Sequence, residues 1–441
     1  SLKFSGEFPF YRDYTFNDLL IHSTNKKIPL MRTYNFIYAI LLPLIFIRSL
    51  YKSLKYGEKL SRNFERLSIY KESKSSKSII LVHAVSVGEV LASRSFVEEI
   101  KSRFPHHQIL MTCTTQTGSA TIKTLYGDSV SHQYLPFDLR FFVKRFLKFW
   151  NPEITFILET EIWPNLIDLL NKGNKKVFLV NARLSQKSFQ GYKKIMPILG
   201  NVFSKLNFTV CQGTNDLQRF IDLGIDKNKI KKDFSFKFDS LSAAKKVIKE
   251  FNDRKQDSQV IICASTHSPE EKILINAFEL LKNEKAILIL VPRHPERAHK
   301  IYKEMKNLNS EIALFTENNF QIDFTKRINL IDEIGYLEDL FSLADIAFIG
   351  GTLIPHGGQN FLEAVRYSLP ISSGKSFYNF QEIAEDLINM GILEVGDNAE
   401  QLKSIWQNQL TLVSEEISKH TKDYLKQREG ASVRTFEYLS L

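Results

Sequence analysis

Cysteine is scarce in this 441-residue sequence, which contains only Cys113, Cys211 and Cys263. The three residues lie far apart, each in or beside an apolar run, and they lack the close spacing of metal-binding cysteines. Small buried thiols of this kind are typical of proteins from a reducing compartment. The cysteine pattern therefore does not indicate a metal centre, and we expect no cofactor.

A long uninterrupted apolar run is also absent. The most apolar stretch, YNFIYAILLPLIFI at 34–47, is broken by Pro43 and is shorter than the ~20 residues of a comfortable bilayer span. No small-residue cleavage site follows it, which argues against a cleaved signal peptide. The flank after it is basic, with Arg48, Lys52, Lys55, Lys59, Arg62 and Arg66.

Two membrane interpretations fit this stretch. It is either a short signal-anchor with its basic side in the cytoplasm, or a helix that lies on the inner leaflet. An ordinary buried helix is the third alternative. The run is apolar all round rather than striped, which favours contact with lipid.

Acidic residues are outnumbered. The 59 Lys and Arg residues against 49 Asp and Glu residues give a net charge of +10, which favours phosphates, nucleic acid or an anionic membrane as partners. With 43% apolar and 24% charged residues, the chain has the composition of a globular protein, and its length allows two or three domains.

From about residue 77 the sequence alternates short β-branched runs with amphipathic segments, a pattern typical of parallel α/β sheets. The first series of strand candidates is 78–85, 108–113, 154–158, 177–181 and 207–211. A polar, lysine-rich stretch at 228–258 separates it from the second series, which is 258–264, 286–291, 328–331, 345–350 and 370–372. The pattern predicts two Rossmann-like domains with a linker near 235–257, and a helical end at 400–441 that could pack back on the first domain.

A glycine-rich phosphate loop is missing from the first strand–helix turn, VHAVSVGEVLAS at 82–93. One glycine, Gly88, is followed at once by Glu89. At a helix start a glutamate is either a cap favoured by the helix dipole or a general base for an acceptor hydroxyl. The dipole would lower its pKa and burial would raise it, and the sequence leaves both roles open.

Ligands in open parallel sheets gather at the carboxyl ends of the strands, and the two series differ there. The first series carries acids, hydroxyls and one arginine, at Ser86–Glu89, Thr112–Thr117, Glu159, Glu161 and Asn181–Ser185. The second is basic and glycine-rich, at Ser265–His267, Arg293, His294 and Gly350–Thr352. This contrast predicts a polar neutral substrate on one side of a cleft and a phosphorylated one on the other.

The strongest local motif is GGTLIPHGGQNFLEA at 350–364. Its glycines let backbone approach a ligand, and Asn360 lies near the start of a helix whose N–H groups face an anion. Glu363, one turn on, is placed to accept hydrogen bonds from a ribose diol, and Arg293 in VPRHPER suits a phosphate. A glycine-rich turn without a ligand and a surface salt bridge are the alternatives.

Two further side chains carry equally open interpretations. Lys237 in FSFKFD could reach a carboxylate or phosphate in the cleft, or be an ordinary lysine. Glu159 in ETEIWPN could be a cleft acid or a cap at the end of its strand.

Seven motifs in order give the chain a family resemblance: HAVSVGE, YLPFD, ETEIWPN, NARLS, ASTH, VPRHPER and GGTLIPHGGQNFLE. Together they resemble the Kdo transferases of lipopolysaccharide synthesis, which are glycosyltransferases of the two-domain GT-B type. The resemblance implies transfer of 3-deoxy-D-manno-octulosonic acid (Kdo) from CMP-Kdo to a lipid A precursor, with inversion. It also implies a protein at the cytoplasmic face of the inner membrane that needs neither a metal nor nucleic acid.

The resemblance also assigns residues. Glu89 matches the proton acceptor, and Glu159 and Lys237 match residues that stabilise the transition state. The matching CMP contacts are Pro292, Arg293, Ile334, Gly335, Tyr336, Asn360, Phe361, Leu362 and Glu363. Position at strand ends adds Gly351 and Thr352 to the donor set, and Ser86, Thr115 and Arg183 to the acceptor side.

Three residues depart from the family pattern. Phe234 replaces a glycine before the lysine motif, which puts the path around Lys237 in doubt. Tyr336 replaces an acid, a change that a backbone contact would survive. Phe361 replaces a proline at a helix start, where proline mostly sets φ.

We expect four regions: an appendage of uncertain origin at 1–30, a membrane-anchor helix with basic flank at 31–70, an acceptor domain at 71–235 and a CMP-sugar donor domain at 236–441. Two other functions stay open. One is a GT-B enzyme that uses a UDP-sugar, and the other is a catalytically degenerate nucleotide-binding membrane protein, which the departures at Phe234 and Tyr336 favour.

Overall fold

The computed structural model of the protein describes residues 30–70, 77–241, 255, 257–306, 311–412 and 414–441. The expected appendage at 1–30 lies outside the described residues apart from Leu30. Most of the expected linker at 235–257 lies outside them as well.

The first sheet is built from near-continuous apolar strands, as expected for a parallel sheet that is covered on both faces. Within the described residues its strand order is β3-β2-β1-β4-β5-β6-β7, with every pair parallel. Apolar clusters cover both faces. The strands are β1 Ile79–His83, β2 Gln108–Cys113, β3 Ser131–Tyr134, β4 Ile154–Leu158, β5 Lys176–Ala182, β6 Phe208–Cys211 and β7 Ile230–Lys232.

The second sheet repeats this architecture. Its order within the described residues is β10-β11-β9-β8-β12-β13-β14, again with parallel pairs, and apolar clusters lie on both faces. The expected pair of α/β domains is therefore confirmed. The strands are β8 Gln259–Thr266, β9 Ala286–Pro292, β10 Ile312–Leu314, β11 Ile328–Leu330, β12 Ile346–Ile349, β13 Ile371–Ser373 and β14 Leu393–Val395.

Helices alternate with the strands, and several begin at a side-chain cap: Ser86, Thr115, Ser185 and Asn398 each accept from a backbone N–H three residues on, which satisfies a donor left free by the first turn. The helices before the second sheet are α1 Leu30–Lys55, α2 Val87–Ala92, α3 Arg94–Arg103, α4 Gln116–Tyr126, α5 Arg140–Trp150, α6 Pro164–Lys172, α7 Gln186–Leu199 and α8 Thr214–Asp222. The later helices are α9 Glu270–Leu281, α10 Ala298–Lys306, α11 Leu337–Phe341, α12 Leu362–Arg366, α13 Gln381–Asn389, α14 Ala399–Gln409, α15 Ser414–Lys426 and α16 Ala431–Leu439.

Helix α1 lies along the first domain. Near its start the Tyr34 hydroxyl donates to Asp138 at 3.0 Å, and the side chains of Asn35 and Asn165 exchange hydrogen bonds at 3.1 Å. Near its end Ser53 is fully buried. Its opposite face is apolar and exposed, with Phe36, Ile37, Ile40, Leu41, Leu44 and Ile47.

The last helix, α16, packs on the first domain. The Phe436 ring stacks on Phe96 with centroids 4.9 Å apart, and Phe236 stacks on Phe96 at 5.0 Å. The hydroxyls of Ser95 and Ser432 are hydrogen-bonded at 2.8 Å. The chain therefore crosses between the two sheets near residue 236 and returns at its end.

Candidate active site

Glu89 lies in the first turn of α2, directly after β1. Its carboxylate accepts from Val85 N at 2.8 Å and from the Ser86 hydroxyl at 3.0 Å, while Ser86 caps the helix by accepting from Glu89 N. This reciprocal arrangement is a capping box, and the spacing S-x-x-E at 86–89 is its sequence signal. Glu89 therefore does act as a cap, and it is only 7% exposed.

Burial decides the electrostatics of Glu89. Loss of solvent, followed by the nearby charge of Glu159, raises the pKa of its carboxyl to about 7, although the hydrogen bonds from Val85 and Ser86 oppose the shift. The sequence left open whether the helix dipole or burial would prevail, and burial does. A carboxyl group with a pKa near neutrality is suited to general base catalysis at physiological pH.

Two more acids stand at the end of the neighbouring strand, because β4 pairs with β1 in the sheet. Glu159 has a φ of +57°, a left-handed conformation that costs a non-glycine residue about 1–2 kcal/mol. Burial and the charge of Glu159 raise the pKa of Glu161. Three carboxylates thus lie within electrostatic reach of one another at this edge, and the sequence had assigned no role to Glu161.

The acceptor-side residues serve different purposes. Thr115 caps α4 by accepting from Gly118 N at 3.1 Å and donates to Val85 O at 2.9 Å, so it ties the turn after β2 to the turn that carries Glu89. Arg183 lies elsewhere, at the contact between domains, where its guanidinium donates to the carbonyl of Asn379. Ser86 and Thr115 therefore lie beside the acid cluster, whereas Arg183 faces the second domain.

A second contact joins the domains close to Arg183. The backbone N–H of Asn215, in the first turn of α8, donates to Glu382 at 3.2 Å. Gly213 makes room for this contact, since a Cβ there would lie 2.2 Å from the Glu382 carboxylate. These contacts close one end of the cleft between the domains.

In the second domain the glycine turn at 350–353 is already occupied by a side chain. The buried carboxylate of Glu270 accepts from the N–H groups of Gly351, Thr352 and Leu353 at 2.7–2.9 Å, and from His267 N at 2.8 Å. Contact of Gly351 and Thr352 with a donor would therefore not use their backbone N–H groups. Glu270 was not singled out from the sequence.

The turn before α12 holds the other predicted donor residues. Asn360 donates to Glu363 at 3.1 Å and accepts from Leu362 N at 3.3 Å. The side chains of Phe361 and Leu362 are fully buried in the core, so only their backbone can meet a ligand. Phe361 thus replaces the family's proline as a core residue.

Glu363 connects three of the predicted residues electrostatically. Burial raises the pKa of its carboxyl, while the Asn360 hydrogen bond and the charges of Lys237 and Arg293 lower it. The ammonium of Lys237 also lies 5.7 Å from the centre of the Phe380 ring. Lys237, which follows the crossover between domains, therefore belongs to the same charge cluster as Arg293.

The remaining predicted donor residues lie at the same edge of the sheet. Pro292 ends β9 opposite Thr266, and Arg293 N donates to Thr266 O at 2.9 Å, with the Arg293 side chain exposed. In the loop after β11, Ile334 is exposed and Gly335 has a φ of +102°. The Tyr336 ring packs against Phe315 at 4.9 Å, so the residue that departs from the family pattern is held in an aromatic cluster.

Phe234, the other departure, is accommodated by arginines from the end of the chain. The guanidinium groups of Arg428 and Arg434 lie 5.0 and 6.0 Å from its ring centre, and Arg434 also pairs with Asp233 at 2.8 Å. The backbone path to Lys237 is thus fixed by packing between the domains.

Three histidines lie at the carboxyl edge of the second sheet, and one of them, His294, directly follows Arg293 in the chain. The rings of His267 and His356 are 4.1 Å apart, and His294 is 6.0 Å from His267. The sequence placed His267 and His294 at strand ends without a role, and no sequence pattern singled out His356. Across the described ranges, no group of three or more His, Cys, Asp or Glu side chains could hold a metal ion.

Comparison with known proteins adds sequence and fold relatives. A family model described as 3-deoxy-D-manno-octulosonic-acid transferase (kdotransferase) matches residues 61–240. The chain is 36% identical over 360 residues to the 3-deoxy-D-manno-octulosonic acid transferase of Haemophilus influenzae, covering 80% of this chain and 83% of the relative. It is 31% identical over 417 residues to the enzyme of the same description from Rickettsia bellii, covering 90% and 98%.

Comparison with solved structures bears on the fold alone. A glycosyltransferase from Rickettsia africae matches with a TM-score of 0.57 at 14% identity, over 83% of this chain and 99% of that one. The pair of parallel-sheet domains is thus the GT-B-type architecture expected from the sequence.

Proposed function

Because the chain belongs to the 3-deoxy-D-manno-octulosonic acid transferase family, we propose that this glycosyltransferase moves Kdo from CMP-Kdo to a lipid A precursor, lipid IVA, with inversion at the anomeric carbon. The observation that carries the proposal is the opposition of two charge clusters. Carboxylates gather at the carboxyl edge of the first sheet, and Lys237, Arg293 and the start of α12 gather at that of the second.

The acceptor hydroxyl is activated by Glu89. Its raised pKa matches the task of a general base near neutral pH, and its place at the end of a strand suits a ligand in the cleft. As the hydroxyl oxygen forms its bond to the anomeric carbon, its proton passes to the Glu89 carboxylate.

The leaving group needs no acid, because CMP is already a good leaving group. As the bond between the anomeric carbon and the phosphate oxygen breaks, both electrons go to the phosphate. Arg293 and the N–H groups at the start of α12 hold that negative charge. The remaining proposed CMP contacts are Pro292, Ile334, Gly335, Tyr336, Gly351, Thr352, Asn360, Phe361, Leu362 and Glu363.

The transition state is stabilised from both sides of the cleft. The anomeric carbon develops oxocarbenium character, as in glycoside hydrolysis, and the negative charge of the Glu159 carboxylate stabilises that positive charge. The positive charge of Lys237 stabilises the negative charge that develops on the departing phosphate. The contacts of Arg183 and Glu382 between the domains support a closed cleft, which would limit hydrolysis of the donor by water.

We also propose that the enzyme works at the cytoplasmic face of the inner membrane, held there by α1. Within the described residues, the stretch Met31–Lys55 is long and apolar enough to cross a membrane by length and composition, with a mean hydropathy of 1.5. Near the start of the helix Tyr34 donates to Asp138, and near its end Ser53 accepts from Gln116 at 3.4 Å. These two positions are separated by about 28 Å of helix, and both contact the first domain. A helix attached in this way lies in the interface with its exposed apolar face in lipid.

Labelling distinguishes a flat helix from a spanning one. In vesicle-bound protein carrying Arg32→Cys or Tyr56→Cys, a membrane-impermeant maleimide should reach both positions from the same side, since the three native cysteines are buried. Labelling of the two positions from opposite sides would show a span instead.

The division of the chain into an acceptor domain at 71–235 and a CMP-sugar donor domain at 236–441 is also part of the proposal.

Product mass tests the transfer itself. The full chain is incubated with CMP-Kdo and lipid IVA, and we expect the acceptor to gain the mass of one or more Kdo units. A product with a UDP-sugar but none with CMP-Kdo would favour the alternative GT-B enzyme. Binding of CMP without turnover of either donor would favour a catalytically degenerate protein.

A further inference from the structure

Three turns of the second domain bring histidines together at the carboxyl edge of its sheet. His267 follows β8, His294 follows β9 and His356 lies in the turn after β12. The rings of His267 and His356 lie 4.1 Å apart at an angle of 37°, and the ring of His294 meets His267 edge-on at 6.0 Å.

The pair formed by His267 and His356 is held in place by buried backbone contacts. The carboxylate of Glu270 accepts from His267 N and from three N–H groups of the 351–353 turn, so one side chain braces both supporting turns. Gly351 lies against both rings, because a Cβ there would be 3.3 Å from His356 and 3.5 Å from His267. The pairing is therefore built into the fold.

A side-chain amide fixes the orientation of His267. The Nε2 atoms of Gln359 and His267 are 3.0 Å apart. With the amide NH₂ as donor, the imidazole Nε2 accepts and the ring proton belongs on Nδ1. His267 is then a neutral ring with one N–H left to offer to a ligand.

The surroundings of the pair favour an anion. Burial, followed by His356, His294 and Arg297, lowers the pKa of His267 to about 4, and Glu271 is the one acid that opposes the shift among its assigned causes. Glu271 is itself engaged by Arg297 through two hydrogen bonds at 3.0 and 3.1 Å. Basic groups therefore outnumber acids around His267, and such surroundings suit an anionic ligand.

We propose that His267 and His356 bind the carboxylate of the donor sugar, beside the phosphate held by Arg293. The assignment rests on the proposed function, because Kdo is a 2-ulosonic acid. Its carboxyl carbon is bonded to the anomeric carbon that carries the phosphate, so the two anionic groups enter the site as neighbours. Arg293 and His294 are adjacent in the chain, and His294 contacts His267, which gives the protein a matching pair of neighbours.

Kinetics and binding together test this subsite. The variants are His267→Gln, His356→Gln and the double substitution, with His299→Gln as the control, since His299 is an exposed imidazole on α10 of the same domain. The KM for CMP-Kdo is measured with saturating lipid IVA, and the Kd for CMP is measured by calorimetry. Loss of hydrogen bonds to a charged group should raise KM roughly 10- to 100-fold in the double variant. The Kd for CMP, which has no sugar carboxylate, should stay within about twofold of wild type.

Other outcomes would overturn the subsite. An unchanged KM in the double variant would remove both histidines from the donor sugar. An equal loss of affinity for CMP would move them to the phosphate or nucleotide, and a lower kcat at constant KM would place them at the leaving group. Absence of turnover in the wild type would refute the proposed donor, and the subsite with it, so the two failures are separated by the wild-type measurement.

Discussion

Glu89 and Glu270 occupy equivalent places in the two domains, in the first turn of the helix that follows β1 and β8. Each is buried, yet they differ in what surrounds the carboxylate. Glu89 accepts two hydrogen bonds and faces the charges of Glu159 and Glu161. Glu270 accepts four backbone N–H groups.

The difference shows how one residue type at one position in the fold becomes either a base or a brace. The four backbone donors of Glu270 come from the turns after β8 and β12, so its carboxylate ties the two turns together. Two donors and two acidic neighbours leave a carboxylate that can take up a proton near neutral pH. The number of donors and the local charge, rather than position in the fold, separate the two roles.

The substitution with the largest expected effect is Glu89→Gln, which tests whether Glu89 acts as the general base. Glutamine can keep the capping box but cannot take the proton, so kcat should fall by roughly two to four orders of magnitude. The Kd for CMP should change little. Glu98→Gln is the control, because Glu98 is an exposed acid on the adjacent helix. Near-normal kcat in Glu89→Gln, measured by product formation from CMP-Kdo, would exclude Glu89 as the base.

The matching change in the second domain, Glu270→Gln, should act on stability. An amide NH₂ in place of one carboxylate oxygen faces backbone donors and leaves buried N–H groups without an acceptor, at a cost of about 2–4 kcal/mol in the free energy of unfolding. Urea unfolding measures the loss, and Glu279→Gln on the exposed face of the same helix should be nearly neutral. If Glu270→Gln unfolds like wild type but loses turnover, the distinction between brace and base is wrong.

The sequence predicted the centre of each sheet well. All ten strand candidates coincide with observed strands, and the strands that it missed are β3, β7, β10 and β14, which are the outermost ones in each sheet. Each of these edge strands has half-buried or exposed positions, whereas the equally short β11 and β13 are buried throughout. The edge strands therefore lack the continuous buried pattern that identifies an inner strand of a parallel sheet. The stretch at 228–258 was interpreted as a polar connection for this reason, although β7 lies within it.

The sequence predicted the site less completely, because some of its contacts are distant in the chain. The spacing of Ser86 and Glu89 already contains the capping box. The hydrogen bonds between Glu270 and the 351–353 turn join residues 81 to 83 positions apart, and no local sequence pattern predicts them. The histidine pair depends on the same distant contacts, so its members could be placed at strand ends but not brought together.

The contrast between the two edges also predicts a loss of donor affinity when positive charge is removed from the second. Arg293→Ala should weaken CMP binding roughly tenfold or more, because a charge-assisted contact with the phosphate is lost. Arg293→Lys should recover part of the affinity through its charge alone. Calorimetry with CMP measures both, and unchanged affinity in the alanine variant would remove Arg293 from the phosphate site.

The smallest expected effect is the pH dependence of kcat. A base must be deprotonated to act, and with a pKa raised to about 7 by burial and by the charges of Glu159 and Glu161, kcat should fall roughly fivefold from pH 7 to pH 6. The free energy of unfolding depends on pH in the opposite direction, because it falls where kcat rises. Because the pKa of Glu89 is higher in the folded state than its ordinary 4.5, the folded protein holds the proton more tightly, and this stabilisation is lost as pH rises from about 4.5 to about 7.

Glu89→Gln should therefore lose stability less than wild type over that pH range, while Glu279→Gln should follow wild type in both kcat and unfolding. Kinetics at saturating CMP-Kdo and lipid IVA, with urea unfolding at each pH, measure the two dependences side by side. A kcat that is flat between pH 6 and pH 8 would mean that the Glu89 proton is not the one transferred. Glu89 would then have a structural role only, like Glu270 in the second domain.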